Sequence, residues 1–415
     1  MAGKKQKPVI LQVVPHLETG GAELSTLEMV DALSKAGGQA LVVSEGGRMA
    51  GDVERLGGEL VHMSVATKNP VQMFRNKQLL EQLIIERNVL LLHARSRAPA
   101  WSSLLASAHI KIPFVTTYHG AYGEMEPFKR FYNSVMARGD VVIANSQFTA
   151  DLVRERHHTE GERLRVIYRG VNLERFSRDA ISVGRLEALR SKWGLEPDIP
   201  VILHPARLTR WKGQGVVIRA MAKLIKQGKD HKAVVILAGD HQGREDYVRE
   251  LKEQIAELQL EERVKLIGHC ADMAAAYALA DVTIIASIEP EAFGRTSAEA
   301  QAMGCPVIAT NIGAPPETVR AMPFVLKNEM TGWLVPPQQP ESLAHSLAEF
   351  FSMDEDSHKK ISKNAIRNVA EYFSDDLMKI QTLAIYDELL GTGFATRYGE
   401  VSGVVDHLDQ GARHT

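Results

Sequence analysis

Val201-Ile202-Leu203-His204-Pro205-Ala206-Arg207-Leu208-Thr209-Arg210-Trp211-Lys212-Gly213 is the stretch that decides the fold. It opens with a short, almost wholly apolar run, turns through four polar or charged residues, and leads into a segment long enough for a helix. A run this short and this apolar reads as a strand buried on both faces of a parallel sheet. The theme continues downstream at Val234–Ala238, Val264–Ile267, Val282–Ala286 and Val307–Ala309, with helical patterns between. Upstream, Val9–Val14, Ala40–Ser44, Val89–Leu92, Phe114–Tyr118 and Val141–Ala144 form an equivalent series, with the helix-like Ala22–Lys35 after the first run. Two such arrays predict an α/β protein of two Rossmann-like, doubly wound parallel-sheet domains, with ligands at the C-terminal ends of their strands.

The seam falls after Val166–Tyr168, where a polar stretch through Ser177–Pro200 carries few strand signals. The expected organisation is an N-terminal domain at 1–178, a linker at 179–200 and a second domain at 201–373. A further helix is expected at 374–391, where Asp375–Leu390 is amphipathic. The glycine-containing polar tail at 392–415 reads as loosely ordered.

Composition excludes several classes. Forty-nine Lys and Arg against fifty-one Asp and Glu give a net charge of −2, without the basic footprint of a nucleic-acid binder. Cys270 and Cys305 are too few for a disulfide framework or a four-thiolate zinc site and suit a reducing compartment. The run Pro8–Pro15 is too short for the apolar core of a signal peptide, and no stretch of about twenty residues is free of charge. A cytoplasmic protein is expected.

Four places carry candidate chemistry. The loop His16-Leu17-Glu18-Thr19-Gly20-Gly21-Ala22-Glu23 follows a strand and opens a helix. Free backbone N–H groups and the positive end of the helix dipole meet there, and Gly20 and Gly21 let a phosphate approach the backbone. The same residues also make a plain strand-to-helix turn, and the G-x-G-x-x-G dinucleotide fingerprint occurs after no strand. Arg207 and Lys212 combine a rigid fork and a mobile point charge, a pairing suited to a diphosphate. Glu291 and Glu299 bracket the turn Phe293-Gly294-Arg295-Thr296 and the start of a helix, and a carboxylate accepts from two vicinal hydroxyls at once. His119 ends the strand Phe114–Tyr118 and is placed to face a ligand. Lys129 and Arg130 with Phe128, Phe131 and Tyr132 read first as a solvated helix face and second as peripheral contact with an anionic membrane surface. Asp354-Glu355-Asp356 reads as solvated loop, and no bound metal is expected.

Together, Gly-Gly-Ala-Glu at 20–23, Tyr-His-Gly at 118–120, Gly-Val-Asn-Leu-Glu-Arg-Phe at 170–176, Arg-Leu-x-x-x-Lys-Gly at 207–213, Glu-x7-Glu from 291 to 299 and Gly-Trp-Leu-Val at 332–335 occur in one order. The set resembles the retaining glycosyltransferases of family 4 (glycosyl transferases group 1) over about residues 8–390. The resemblance implies the GT-B fold, two Rossmann-like domains facing each other across a cleft, with the helix 374–391 crossing back to the first. It implies that Glu291 lies near the donor-sugar hydroxyls and that Phe293, Gly294, Arg295 and Thr296 bring backbone N–H groups to the donor. Glu299 would then grip the nucleoside ribose, Arg207 and Lys212 would hold the diphosphate beneath the Gly20-Gly21 loop, and His119 would lie near the reactive face of the sugar. Asn172 stands where aspartate is frequent in the family, and Gly313-Ala314-Pro315-Pro316-Glu317 replaces a usual glycine pair.

The expected function is transfer of a hexose, mannose or glucose, from a GDP- or UDP-sugar to a glycan or lipid-linked acceptor, with retention and without a cofactor or metal. The flavour of Glu-Ala-Phe-Gly-Arg-Thr resembles bacterial enzymes of lipopolysaccharide core or other cell-surface polysaccharide biosynthesis. The alternatives are a GT-B sugar-nucleotide epimerase, a non-catalytic sugar-binding protein and an NAD-dependent oxidoreductase. Loss of the Lys212 charge is expected to slow turnover by about 10²–10³ without unfolding the protein.

Overall fold

A computed structural model describes residues 7–18, 20–120 and 126–404. The chain divides into two units, one of residues 1–170 with 375–415 and one of Val171–Ser374. In the first unit β1 (Val9–Val13), β2 (Gln39–Ser44), β3 (Glu59–His62), β4 (Val89–Ala94), β5 (Phe114–Tyr118), β6 (Val141–Ala144) and β7 (Leu164–Val166) form one sheet in the order β3-β2-β1-β4-β5-β6-β7. Every pairing in it is parallel. In the second unit β8 (Val201–Pro205), β9 (Val234–Ala238), β10 (Val264–Gly268), β11 (Val282–Ile285), β12 (Val307–Thr310) and β13 (Gly332–Val335) form a parallel sheet in the order β10-β9-β8-β11-β12-β13. Strand order reverses between β1 and β4 and between β8 and β11, so each sheet has one switch point, where open α/β sheets bind ligands.

The central strands are buried along their whole length, as β1, β5, β8 and β9 show, because helices cover both faces. Three strands, β3, β7 and β13, lie outside the expected runs. β3 is a half-exposed edge strand framed by Glu59 and His62, so no apolar run marks it. β13 is the Gly-Trp-Leu-Val motif itself, and a Cβ at Gly332 would lie 2.0 Å from the Val307 carbonyl oxygen, so only glycine lets this strand close on β12.

The expected linker at 179–200 is not one. Val183–Lys192 is a helix capped by Ser182, whose hydroxyl accepts from the Arg185 N–H, and Leu189, Trp193 and Leu195 are buried. Arg185 pairs with both oxygens of Asp272 at 2.8 and 2.9 Å, fastening this helix within the second unit. Phe176 is buried against Tyr277, so residues 171–178, expected in the first domain, also belong to the second unit. Polar composition hid a helix that buries only one narrow stripe.

The expected loose tail is also corrected over its first half. Phe394–Ser402 is a helix, with Phe394 and Tyr398 fully buried beside Ile10, Leu33 and Tyr386. Gly391 and Gly393 turn the chain at positive φ after the helix Asp375–Leu390, and the Asp387 carboxylate accepts from the backbone N–H groups of Phe394 and Ala395 at 2.6 and 2.8 Å. A helix N-terminus is thus capped from the preceding helix, meeting donors that would otherwise have no partner. Burial of the two rings contributes about 1.5–3 kcal/mol each. The rest of that tail, 405–415, lies outside the described residues.

Inside this packing Lys379 Nζ lies 2.9 Å from Asp375, 3.6 Å from Asp31 and 3.7 Å from Asp376. Burial opposes its charge, but the carboxylates win and raise the Lys379 ammonium well above the ordinary lysine range.

Candidate functional site

At the switch point of the second unit, the turn after β8 is pressed onto the end of β11. The Ile288 N–H donates to the Trp211 carbonyl at 2.7 Å, and a Cβ at Gly213, whose φ is +77°, would lie 1.9 Å from the Ala286 carbonyl oxygen. Gly213 is therefore obligatory, and it starts the helix Gln214–Lys226 directly after Lys212. Lys212 Nζ donates to Glu291 Oε1 at 2.7 Å, with the side chains 14% and 9% exposed, and rests 4.2 Å over the Trp211 ring. The Ser287 hydroxyl donates to the same carboxylate oxygen. The backbone of Glu291 is fixed as well, since the Ala314 N–H donates to its carbonyl at 2.9 Å. Gly313, at φ +77°, passes so close that a Cβ there would meet the Glu291 carbonyl oxygen at 2.5 Å.

His204, within β8, is buried behind this pair and its Nδ1 donates to the Ile284 carbonyl at 2.8 Å. Burial lowers its pKa to about 4, with the Lys212 charge adding to the effect. The imidazole is neutral at pH 7.

Gly294, at φ +83°, opens the helix Arg295–Ala302. Glu299 on that helix accepts from the buried Tyr277 hydroxyl at 3.2 Å and pairs with Arg295 at 3.4 Å. Burial first, then the Glu299 charge, pushes the Tyr277 phenol well above its ordinary value. Phe293 is a core residue, its ring 5.8 Å from that of Phe373. Thr296 is half-buried on the first turn of the helix. Arg207 is exposed, and its carbonyl accepts from Gln214 Nε2 at 2.9 Å. The structure thus joins Lys212 to Glu291 and does not bring Arg207 to that pair.

In the first unit Gly20 precedes the helix Gly21–Lys35 in extended conformation, and the Glu23 carboxylate folds back over it. His119 directly follows β5. Its Nδ1 lies 2.5 Å from Arg169 Nη2, and the same guanidinium donates through Nη1 to the Gly21 carbonyl and the Ser25 hydroxyl. Removal from water is the first cause that takes His119 well below its ordinary pKa, followed by the charges of Arg169 and Arg95. Arg95, at the β1–β4 switch point, is buried, and its Nε donates to Gln12 Oε1 at 2.8 Å. His93 bridges the Tyr386 hydroxyl at 2.6 Å and the Thr117 hydroxyl at 2.7 Å.

Sequence reading missed Arg169, Arg95, His93, Tyr277, Ser287 and His204. Arg169 had a signal, because it immediately precedes the Gly170–Phe176 motif, and a cation next to a buried strand end asks for a partner. Tyr277 had none, lying in an alanine-rich helix that reads as core.

Outside these sites, Phe128 and Phe131 on the short helix Pro127–Asn133 are 78% and 57% exposed, with Arg138 stacked over Phe131 and Trp101. Asp354 caps the helix Glu355–Tyr372 by accepting from the Ser357 N–H at 2.7 Å. Among the described residues no group of three His, Cys, Asp or Glu side chains is arranged to hold a metal ion, and no helix is long and apolar enough to cross a membrane.

Two parallel α/β units with this pattern of strand order define the GT-B fold. Residues 186–368 match the model of glycosyl transferases group 1, and residues 19–175 match that of glycosyltransferase family 4. A glycosyltransferase structure from Rickettsia africae is 37% identical with a TM-score of 0.84, covering 93% of this chain and 99% of that one. Anabaena Alr3699/HepE, solved with UDP, is 26% identical with a TM-score of 0.78 over 92% of this chain and all of that one. The uncharacterized glycosyltransferase MJ1607 of Methanocaldococcus jannaschii is 30% identical over 59% of this chain and 59% of its own length. A D-inositol 3-phosphate glycosyltransferase of Saccharomonospora viridis is 29% identical over 52% of this chain and 48% of its own. The chain therefore spans only about half to three-fifths of the length of these curated relatives. The chain belongs to the group 1, family 4 glycosyltransferases.

Proposed function

We propose that this protein is a nucleotide-sugar-dependent retaining hexosyltransferase that acts on a glycan or lipid-linked acceptor in cell-surface polysaccharide synthesis. The observation that carries the reading is the buried Lys212–Glu291 pair at the second switch point, a cation and a hydroxyl acceptor held 2.7 Å apart. Related HepE structures containing UDP and UDP-glucose favour a uridine nucleotide sugar as donor. On this reading, charge builds on the leaving β-phosphate as the anomeric bond breaks. Lys212 and backbone N–H groups at Gly294–Thr296 stabilise it more strongly in the transition state than in the ground state. Arg207, exposed on the turn after β8, offers its guanidinium to the diphosphate when the donor binds. Glu291 accepts from the sugar hydroxyls and Glu299 from the ribose, and within the first unit His119 and the Gly20-Gly21 loop are assigned to substrate binding. The acceptor hydroxyl attacks from the face that the diphosphate leaves, giving its proton to the departing phosphate oxygen, so neither an enzymic nucleophile nor a metal is used.

A thermal-shift panel of UDP, GDP and ADP, with and without divalent metal, tests the donor half. UDP at 100 times its dissociation constant is expected to stabilise the protein by about 2.7 kcal/mol with or without metal. Failure of all three nucleotides to stabilise it would refute the reading, and strict metal dependence would refute the metal-free mechanism. The anomeric configuration of the product, read by NMR, tests retention.

The proposed location is the cytoplasm, with Phe128, Phe131, Lys129 and Arg130 meeting an anionic membrane surface. Co-flotation with anionic but not zwitterionic vesicles, lost in a Phe128→Ser/Phe131→Ser variant, is the expected result.

A further inference from the structure

Arginine carries five N–H donors, no acceptor and a permanent charge, so a hydrogen bond between a guanidinium and an imidazole nitrogen has only one sense. Arg169 Nη2 lies 2.5 Å from His119 Nδ1, so Nδ1 is the acceptor and carries no proton. The guanidinium cannot turn away to allow the other arrangement, because Nη1 is committed to the Gly21 carbonyl and the Ser25 hydroxyl. Arg169 is itself buried, which keeps water from competing for the bond.

We propose that Arg169 is a positioning residue that locks His119 as the neutral Nε2–H tautomer, making it a fixed hydrogen-bond donor to a substrate oxygen and denying it the role of general base. A neutral imidazole has one donor and one acceptor nitrogen. With Nδ1 occupied as acceptor, the only group His119 can offer is the Nε2–H. A base would need a bare Nε2, which puts the proton on Nδ1 against a cation. An imidazolium would need the same Nδ1 proton. Among the described residues the charged and titratable groups acting on His119 agree with this: Arg169 follows β7, and Arg95 and His93 come from the β4 side. The lock also couples the sugar-side histidine to the Gly20-Gly21 loop, since one guanidinium holds both the ring and the first carbonyl of the helix. The chemical role rests on the proposed function, in which His119 meets the substrate, whereas the tautomer does not.

Ring nitrogen NMR of the full-length protein with ¹⁵N-labelled histidine, in the absence of substrate, reads the tautomer directly, with a His119→Gln variant identifying the signals. The expected spectrum has a protonated Nε2 and a bare Nδ1 from about pH 6 to 8. A proton on Nδ1, or an imidazolium at pH 7, would overturn the proposal whether or not the enzyme transfers sugar. Arg169→Lys keeps a donor-only cation and is expected to keep the tautomer, whereas Arg169→Met is expected to give a mixture. In turnover assays Arg169→Met is expected to lower kcat with UDP affinity within about twofold, and Arg169→Lys to recover part of the loss. Equal losses of kcat in the two variants, with the wild-type tautomer retained in Arg169→Met, would refute the positioning role. If the tautomer is as expected but no transferase activity exists, the proposed function fails and the lock survives.

Discussion

Replacing Lys212 by methionine tests the central pair in two ways at once. The methionine preserves most of the side-chain volume over Trp211 but removes the charge 2.7 Å from Glu291. Glu291 is only 9% exposed, so it would be left as a buried carboxylate without its cation, a change that costs about 3–5 kcal/mol. The Ser287 hydroxyl still donates to Glu291, which favours the lower end of that range. In a unit of roughly 200 residues each kcal/mol moves the melting temperature by about 2–4 °C, so a fall of about 6–12 °C is expected. The double variant Lys212→Met/Glu291→Gln removes the stranded charge and is expected to recover at least half of the loss, while turnover stays down by about 10²–10³. The assay is a set of melts on wild type, both single variants and the double, with donor turnover measured on each. A Lys212→Met melting temperature within 2 °C of wild type, or a double variant no more stable than Lys212→Met, would show that the buried pair does not organise this site.

Three other outcomes follow from the same structure. The unfolded chain takes a proton on His204 near pH 6.5 while the folded protein does not until about pH 4, so its contribution is present above 6.5 and is lost as pH falls. At about 1.36 kcal/mol per pH unit the loss reaches about 3 kcal/mol by pH 4, and urea midpoints of wild type and His204→Gln should converge on acidification. Gly213→Ala places a Cβ 1.9 Å from the Ala286 oxygen at φ +77°, and chemical denaturation should show a loss of about 2 kcal/mol or more. Ending the chain at Gly391 removes the buried Phe394 and Tyr398, and a melting temperature lower by at least about 6 °C is expected.

The alternation of buried apolar runs with helical patterns was enough to establish two parallel sheets, because a strand covered on both faces must be apolar along its length. It also singled out Lys212 and His119, polar residues just past the ends of such strands, whereas Glu291 and Glu299 were read from carboxylates placed around a glycine turn and on the helix after it. It could not reveal β3, which is half-exposed, or the helices at 183–192 and 394–402, whose buried stripes are narrow within polar sequence.

Partnership was decided only in three dimensions. Glu291 is 79 residues from Lys212, and Arg169 is 50 from His119. A local pattern records that a segment is buried, not which segment it meets. The order of strands in each sheet makes those loop ends neighbours, and the side chains that neutralise, cap or orient one another follow from that order.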